Sequence, residues 1–403
     1  MRLARAALAV ALALPACRRP RPSARPPPAV VRPSPALVAE GRALVARFEC
    51  ARCHTIDGVA SPDRAQDCVG CHRAVRAGTF PARPEHLAEW RANLVDLVDA
   101  PALVAVGRRH RAPWIAAFLE RPDDLRPHLR ATMPRLDVST GQARAIAAFL
   151  TRDVDASSDA PPEPSPALVA RGRALFVTRT CAQCHRFDDA AIDARPVPAT
   201  PPEAATLAPD LAVTRARFRR DRLVAWILDP PRLKPGTPMP ALGLTREEAG
   251  ALASYVLFAP LRARVSRDPP PMLPALARRV TWDEVEAGVF RRTCRHCHAD
   301  EGFAFGDGGP GNTGGFGFAP RRLNLNSYSG AMSGMLVGGE RRSVFAADDS
   351  GLPRLVRALR ARQLEESGRV DEGVRGMPLG HPAVTPEQLQ LVTSWIASGR
   401  PLE

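Results

Sequence analysis

Apolar residues recur with helical spacing in three pairs of segments, each pair bracketing a stretch of irregular pattern. Two opening segments are near copies. Ser34-Pro-Ala-Leu-Val-Ala-Glu-Gly-Arg-Ala-Leu and Ser165-Pro-Ala-Leu-Val-Ala-Arg-Gly-Arg-Ala-Leu line up almost residue for residue. A looser third copy is Val285-Glu-Ala-Gly288-Val-Phe. A Ser or Thr ahead of each run predicts a capped amphipathic helix. The closing segments are marked by capping boxes: Ser139 with Gln142, Thr245 with Glu248 and Thr385 with Gln388. Pro386 falls at the first helical position, where its missing N–H costs nothing. Each closing helix carries an aromatic residue, Phe149, Tyr255 or Trp395. The repeated unit is too long for a solenoid and reads as a whole domain. Ahead of the first unit, Arg2 and Arg5 precede an apolar run, Ala6 to Ala16, that is too short to span a bilayer. The pattern therefore divides the chain into an export signal over 1–16, a Pro- and Arg-rich tether over 17–35, and domains over 36–153, 166–263 and 276–403. Pro-rich linkers separate the domains.

One pentapeptide recurs four times: Cys50-Ala-Arg-Cys53-His54, Cys68-Val-Gly-Cys71-His72, Cys181-Ala-Gln-Cys184-His185 and Cys294-Arg-His-Cys297-His298. This is the C-x-x-C-H pattern of c-type haem attachment. Residues at i, i+3 and i+4 share one face of a helical turn. Two thiols three apart can bond the two vinyl groups of one haem, and the adjacent His is held under its iron. C-x-x-C alone also serves redox dithiols and zinc sites. Four copies, each followed by His, favour four covalent haem c groups.

Eight of the nine cysteines lie in these motifs, which leaves no even set for a disulfide framework. The ninth, Cys17, ends Leu14-Pro15-Ala16-Cys17 and resembles a bacterial lipobox cysteine, which becomes the lipidated mature N-terminus. Export and covalent haem attachment support each other, and together they predict a periplasmic protein held at a membrane by a lipid anchor. The formal net charge is +14, and every base but Lys234 is arginine. The eight propionates of four haems would offset much of that excess. The charge is therefore weak evidence for nucleic-acid binding and more consistent with acidic redox protein partners or anionic lipid.

The order helix, C-x-x-C-H, variable loop, Met-Pro, terminal helix resembles the class I cytochrome c domain, and three copies cover nearly all the chain after the tether. The resemblance implies an all-α fold in which opening and closing helices pack together and frame the haem. It also implies Met as the ligand opposite His: Met133 for the haem on His54, Met239 for that on His185 and Met377 for that on His298. Thioether is a soft, neutral ligand; His/Met ligation raises the potential and suits electron carriage.

The His72 motif has no domain of its own. It begins fourteen residues after His54, inside a lengthened first domain. For its distal face the loop offers His86 first, at a helix start after Pro84-Glu85, then His110, then His128. A bis-His haem would have a lower potential than its neighbours. His296 is expected to be exposed and His381 to be a surface residue. The Gly-rich run from Gly302 to Gly317 reads as a turning loop, with a calcium site on Asp307 and Asn312 as the sharper alternative. The function these features favour is electron transfer between redox partners of a respiratory chain, with no catalytic residue. A peroxidase-like or oxidase-like enzyme, or a gas sensor, would need an open distal site, and only the haem on His72 offers one.

Overall fold

The computed structural model describes residues 32–94, 100–123, 125–127, 129–130, 133–154, 163–187, 203–262, 268–302 and 309–403. The export signal, Cys17, most of the tether, His128 and Asp307 lie outside these residues.

The fold is helical, and the described residues gather into four apolar clusters, two adjoining in the first unit and one in each of the others. In the first unit the opening helix Pro35–Arg47 lies against the closing helix Thr140–Leu150. In the second, Pro166–Thr178 lies against Arg246–Phe258. The caps form as the sequence predicts. Ser34 and Ser165 accept from the N–H groups of Leu37 and Leu168, and all three capping boxes close in both directions. Each box satisfies two N–H groups that a helix start otherwise leaves orphaned.

The repeated glycine sets how closely the helices cross. A Cβ on Gly41 would collide with the Ala145 carbonyl and approach Cβ of Phe149; one on Gly172 would collide with the Ala251 carbonyl and approach Cβ of Tyr255. Only glycine lets the backbones come this near. The aromatics of the closing helices, Phe149 and Tyr255, then fill the space beside the crossing and are fully buried.

The third unit departs from the repeat. Its opening helix starts as Trp282–Val285, capped by a box between Thr281 and Glu284, and continues through Glu286–Cys294 as a π-helix. The Arg295 N–H reaches back five residues to the Phe290 carbonyl. In its core Trp282 packs tilted against Phe290 and Trp395, and Phe290 and Phe345 each meet Trp395 edge to face. The fold is all-α as expected, with one small hairpin among the described residues: Met335–Val337 pairs antiparallel with Glu340–Arg342 around Gly338 and Gly339, both at positive φ. No helix among the described residues is long and apolar enough to cross a membrane.

The first unit touches both others. Toward the second, His110 and Phe218 form an antiparallel bridge; Arg111 N–H donates to the Arg217 carbonyl and Arg219 N–H to the Arg109 carbonyl. These segments are equivalent in the repeat, so they pair about a local two-fold axis. Toward the third unit, Arg135 reaches Glu365 at 3.2 Å, and Glu89 meets Arg291 and Arg295 at 2.8 and 3.3 Å.

Candidate functional site

In the first two units the turn after the opening helix is a short 3-10 segment, Cys50–Arg52 or Cys181–Gln183, entered through a left-handed residue, Glu49 or Thr180. The N–H groups of His54 and His185 close on the carbonyls of Cys50 and Cys181 at 3.0 Å in both. The ring is then fixed from its far side. His54 Nδ1 lies 2.8 Å from the Pro101 carbonyl and His185 Nδ1 3.0 Å from the Pro209 carbonyl. A carbonyl can only accept, so Nδ1 carries the proton and Nε2 keeps its lone pair for a metal. Leu103 and Leu211, two residues beyond the prolines, donate to Thr55 and Arg186 at 2.8 and 2.9 Å, which ties each proline loop to its motif.

Burial pushes His54 and His185 below the usual imidazole range, and His298 down to about 4. Neutral imidazole is the form that binds metal. His298 also packs against glycine: a Cβ on Gly311 would collide with its Nδ1 and Cε1. Burial also raises the thiols, Cys50 and Cys71 to about 11 and Cys294 to about 12. A redox dithiol or zinc thiolate needs the opposite shift. Among the described residues no three His, Cys, Asp or Glu side chains converge as a metal-ion cage.

A single cavity of ≈ 760 Å³ runs between the first and second units. Cys53, His54 and Met133 line it from one side; Cys181, Cys184, His185 and Met239 line it from the other. Much of the rest of its wall is apolar, but it also holds Arg109, Arg126, Arg217 and Lys234. Burial and mutual repulsion lower Arg217 to about 10 and lower Lys234 as well. The Arg217 Nε is buried with no hydrogen-bond partner. Buried cations left this way are costly unless an anion joins them. Haem fits the site on both counts: a flat apolar body for the wall and carboxylates for the guanidinium groups.

The motifs continue beyond this cavity. The thiols of Cys53 and Cys68 lie within hydrogen-bonding reach, so the first and second motifs touch. The second is helical, Cys68–Ala77, with Asp67 capping it through the Gly70 N–H. The His72 ring faces the third unit, with centroid distances of 6.3 Å to His296, inside the fourth motif, and 6.4 Å to His381. The four motifs thus follow one another in space in the order 181–185, 50–54, 68–72, 294–298.

For the two histidines favoured from the sequence as partner to His72, the ring contacts seen are with other residues. His86 does sit in a helix starting at Pro84, but its Nε2 is turned to Arg83 at 2.5 Å and its ring stacks on Trp90. His110 is buried between Trp114 and Phe218 and lines the cavity of the other two motifs. His296 is exposed, as expected. His381 is half-buried rather than a surface residue, and burial draws it down to about 4. Met377 packs on the core that contains Cys294, and its N–H is bound by the Ala358 carbonyl at 2.9 Å. Of the calcium alternative, Asn312 is buried and its side-chain NH2 donates to the Ala299 carbonyl, while Asp307 lies outside the described residues.

Comparison with known families agrees with this geometry. Residues 169–259 match the cytochrome c family. That segment holds the third motif, Pro209, Met239 and the closing helix. A cytochrome c domain carries covalently bound haem c and transfers electrons with it. No curated protein and no solved structure matches the chain. Part of the matched segment's sequence recurs outside it. Ala100-Pro101-Ala-Leu103 and Ala208-Pro209-Asp-Leu211 are the same loop in two copies. That repeat was visible in the sequence and identifies the proline carbonyls. The buried arginines had a weaker signal, since Arg109 and Arg217 occupy equivalent positions. Nothing local in the sequence marks His381.

Proposed function

We propose that this protein is a tetrahaem c-type cytochrome of three cytochrome c domains, exported to the periplasm, that moves electrons between redox partners of a respiratory chain. The observation that carries the reading is the paired arrangement of His54 and His185. Burial favours the neutral imidazole in both, both spend Nδ1 on a proline carbonyl, and both line one cavity that a Met-Pro loop enters from each side. Haem c bound there would supply one-electron exchange between ferric and ferrous iron. Thioether sulfur from Met133, Met239 and Met377 would hold the sixth position and favour the ferrous state. The eight motif cysteines would hold the groups covalently. Arg109, Arg126, Arg217 and Lys234 would neutralise propionates and, as fixed positive charge, favour the reduced state further. Lipidation at Cys17 would tether the chain, and its basic surface suits acidic partners.

A spectropotentiometric titration of the holoprotein tests this. Four one-electron equivalents per chain, with no turnover of hydrogen peroxide, are expected. Sustained peroxide turnover would instead place the protein among haem enzymes.

A further inference from the structure

The His72 motif is the one for which the Met-Pro repeat supplies no partner, and the structure brings two histidines of the third unit to it. We propose that His381 is the second axial ligand of the haem bound at His72, supplied across the contact between the first and third units. The assignment rests on the four-haem reading above.

The spacing is the first argument. Two imidazoles bound through Nε2 on opposite sides of one metal, at about 2.0 Å each, hold their ring centroids roughly 6.3 Å apart. The His72 and His381 centroids are 6.4 Å apart. His296, at 6.3 Å, meets the same distance, so the surroundings decide. His296 is exposed and lies between the two cysteines that anchor the neighbouring haem. His381 is half-buried, and the loop that carries it is held by three hydrogen bonds, one to His381 itself and two to Ala383. The Arg362 Nε donates to the His381 carbonyl at 3.0 Å. The Ala383 N–H donates to Glu366 at 2.7 Å, and Arg130, from the first unit, donates to the Ala383 carbonyl at 2.9 Å. Gly380, at φ 71°, makes the turn that presents the ring. A ligating His needs contacts outside the coordination shell to hold its orientation. His86 and His110 have no comparable placement toward His72.

Coordination of this haem is therefore complete only when the first and third units are docked. The proximal ligand comes from one and the distal ligand from the other, so the contact that joins the units also sets the spin state and lowers the potential of one haem.

The test uses full-length holoprotein with its haem count measured first. In wild type all haem is low-spin and the dithionite-reduced protein does not bind carbon monoxide. His381→Ala is expected to turn about a quarter of the haem high-spin and to open that quarter to carbon monoxide. His381→Met is expected to keep it low-spin and raise the potential of one haem only, which separates loss of a ligand from loss of structure. His86→Ala is the control and leaves the spectrum unchanged. A low-spin, carbon-monoxide-inert His381→Ala protein would overturn the assignment, as would His296→Ala opening the same site. A wild-type count of three, with Cys68 and Cys71 unmodified, would overturn the four-haem reading and the ligand with it. A count of four with an unaltered His381→Ala spectrum overturns the ligand alone.

Discussion

Glu365 is the most informative single residue in the contact between the first and third units. Its carboxylate lies 3.2 Å from Arg135 of the first unit and 3.2 Å from Arg362 of its own helix. The three side chains are 7, 9 and 5 % exposed respectively. It also accepts the Gly376 N–H at 3.1 Å. Arg135 follows Met133 by two residues and Gly376 precedes Met377, so this one carboxylate ties two Met-Pro loops together. Arg362 in turn holds the His381 carbonyl. Glu365→Ala would leave two guanidinium groups buried without their counter-charge, a loss that typically costs about 3–5 kcal/mol. Arg135 keeps the Asp371 carbonyl at 3.0 Å and Glu372 at 3.6 Å, and Arg362 keeps His381. The low end, about 3 kcal/mol, is therefore expected. Glu365→Gln keeps an acceptor but not the charge, and about 1–2 kcal/mol is expected. Urea unfolding of the holoprotein, followed by far-ultraviolet circular dichroism, reads both. The alanine variant should also show carbon monoxide binding at the haem on His72, since the His381 loop loses its brace. A loss below about 0.5 kcal/mol in Glu365→Ala, no larger than an ordinary surface substitution, would refute the idea that a buried ion pair organises this contact.

Other expectations follow from the same coordinates. Gly172→Ala should destabilise the second unit by about 1–3 kcal/mol through overpacking against Ala251, whereas Gly250→Ala, on the same closing helix with open space around it, should be neutral or stabilising by up to ~1 kcal/mol; thermal melts of the two variants compare them. Arg217→Gln removes buried positive charge beside the first and third motifs and should lower a haem potential by on the order of tens of millivolts, read by potentiometric titration; an unchanged titration would mean Arg217 faces no iron. Ser350 and Arg357 hold the Asp348 carboxyl down to about 2. The folded-state value lies below the unfolded one, so the stability it contributes is complete above about pH 4 and is lost as pH falls through about 2. Asp348→Asn should flatten that acid slope in pH-dependent melts, and a slope equal to wild type would contradict it.

What the sequence revealed was local in character. Capping boxes are set by residues three apart, and all three formed where Ser139, Thr245 and Thr385 placed them. The spacing of Gly41 and Gly172 from their cysteines was legible as a repeat, and the structure gives the reason: the closing helix passes directly over each. The third unit was harder, because Gly288 sits only six residues before Cys294 and lies in a π-helix. The partner of His72 was sought nearby in the chain, at His86 and His110. Both choices followed from helix position and repeat alignment, and neither carries information about which unit packs over the insertion. His381 is more than 300 residues away, and contacts between the first and third units, among them the ion pairs of Arg130, Arg135 and Glu89, bring it near His72. The placement of Arg109, Arg126 and Arg217 in the shared cavity is illegible for the same reason, since burial between two units is invisible to composition.

The most direct test of the central claim is a haem count on the exported, full-length protein, by pyridine haemochrome against protein mass, after extraction of any non-covalent haem. Four haems per chain, all resisting extraction and all lost stepwise as the cysteine pairs 50/53, 68/71, 181/184 and 294/297 are replaced, are expected. Fewer than four, or haem that leaves on extraction, would contradict the assignment of all four motifs to covalent haem.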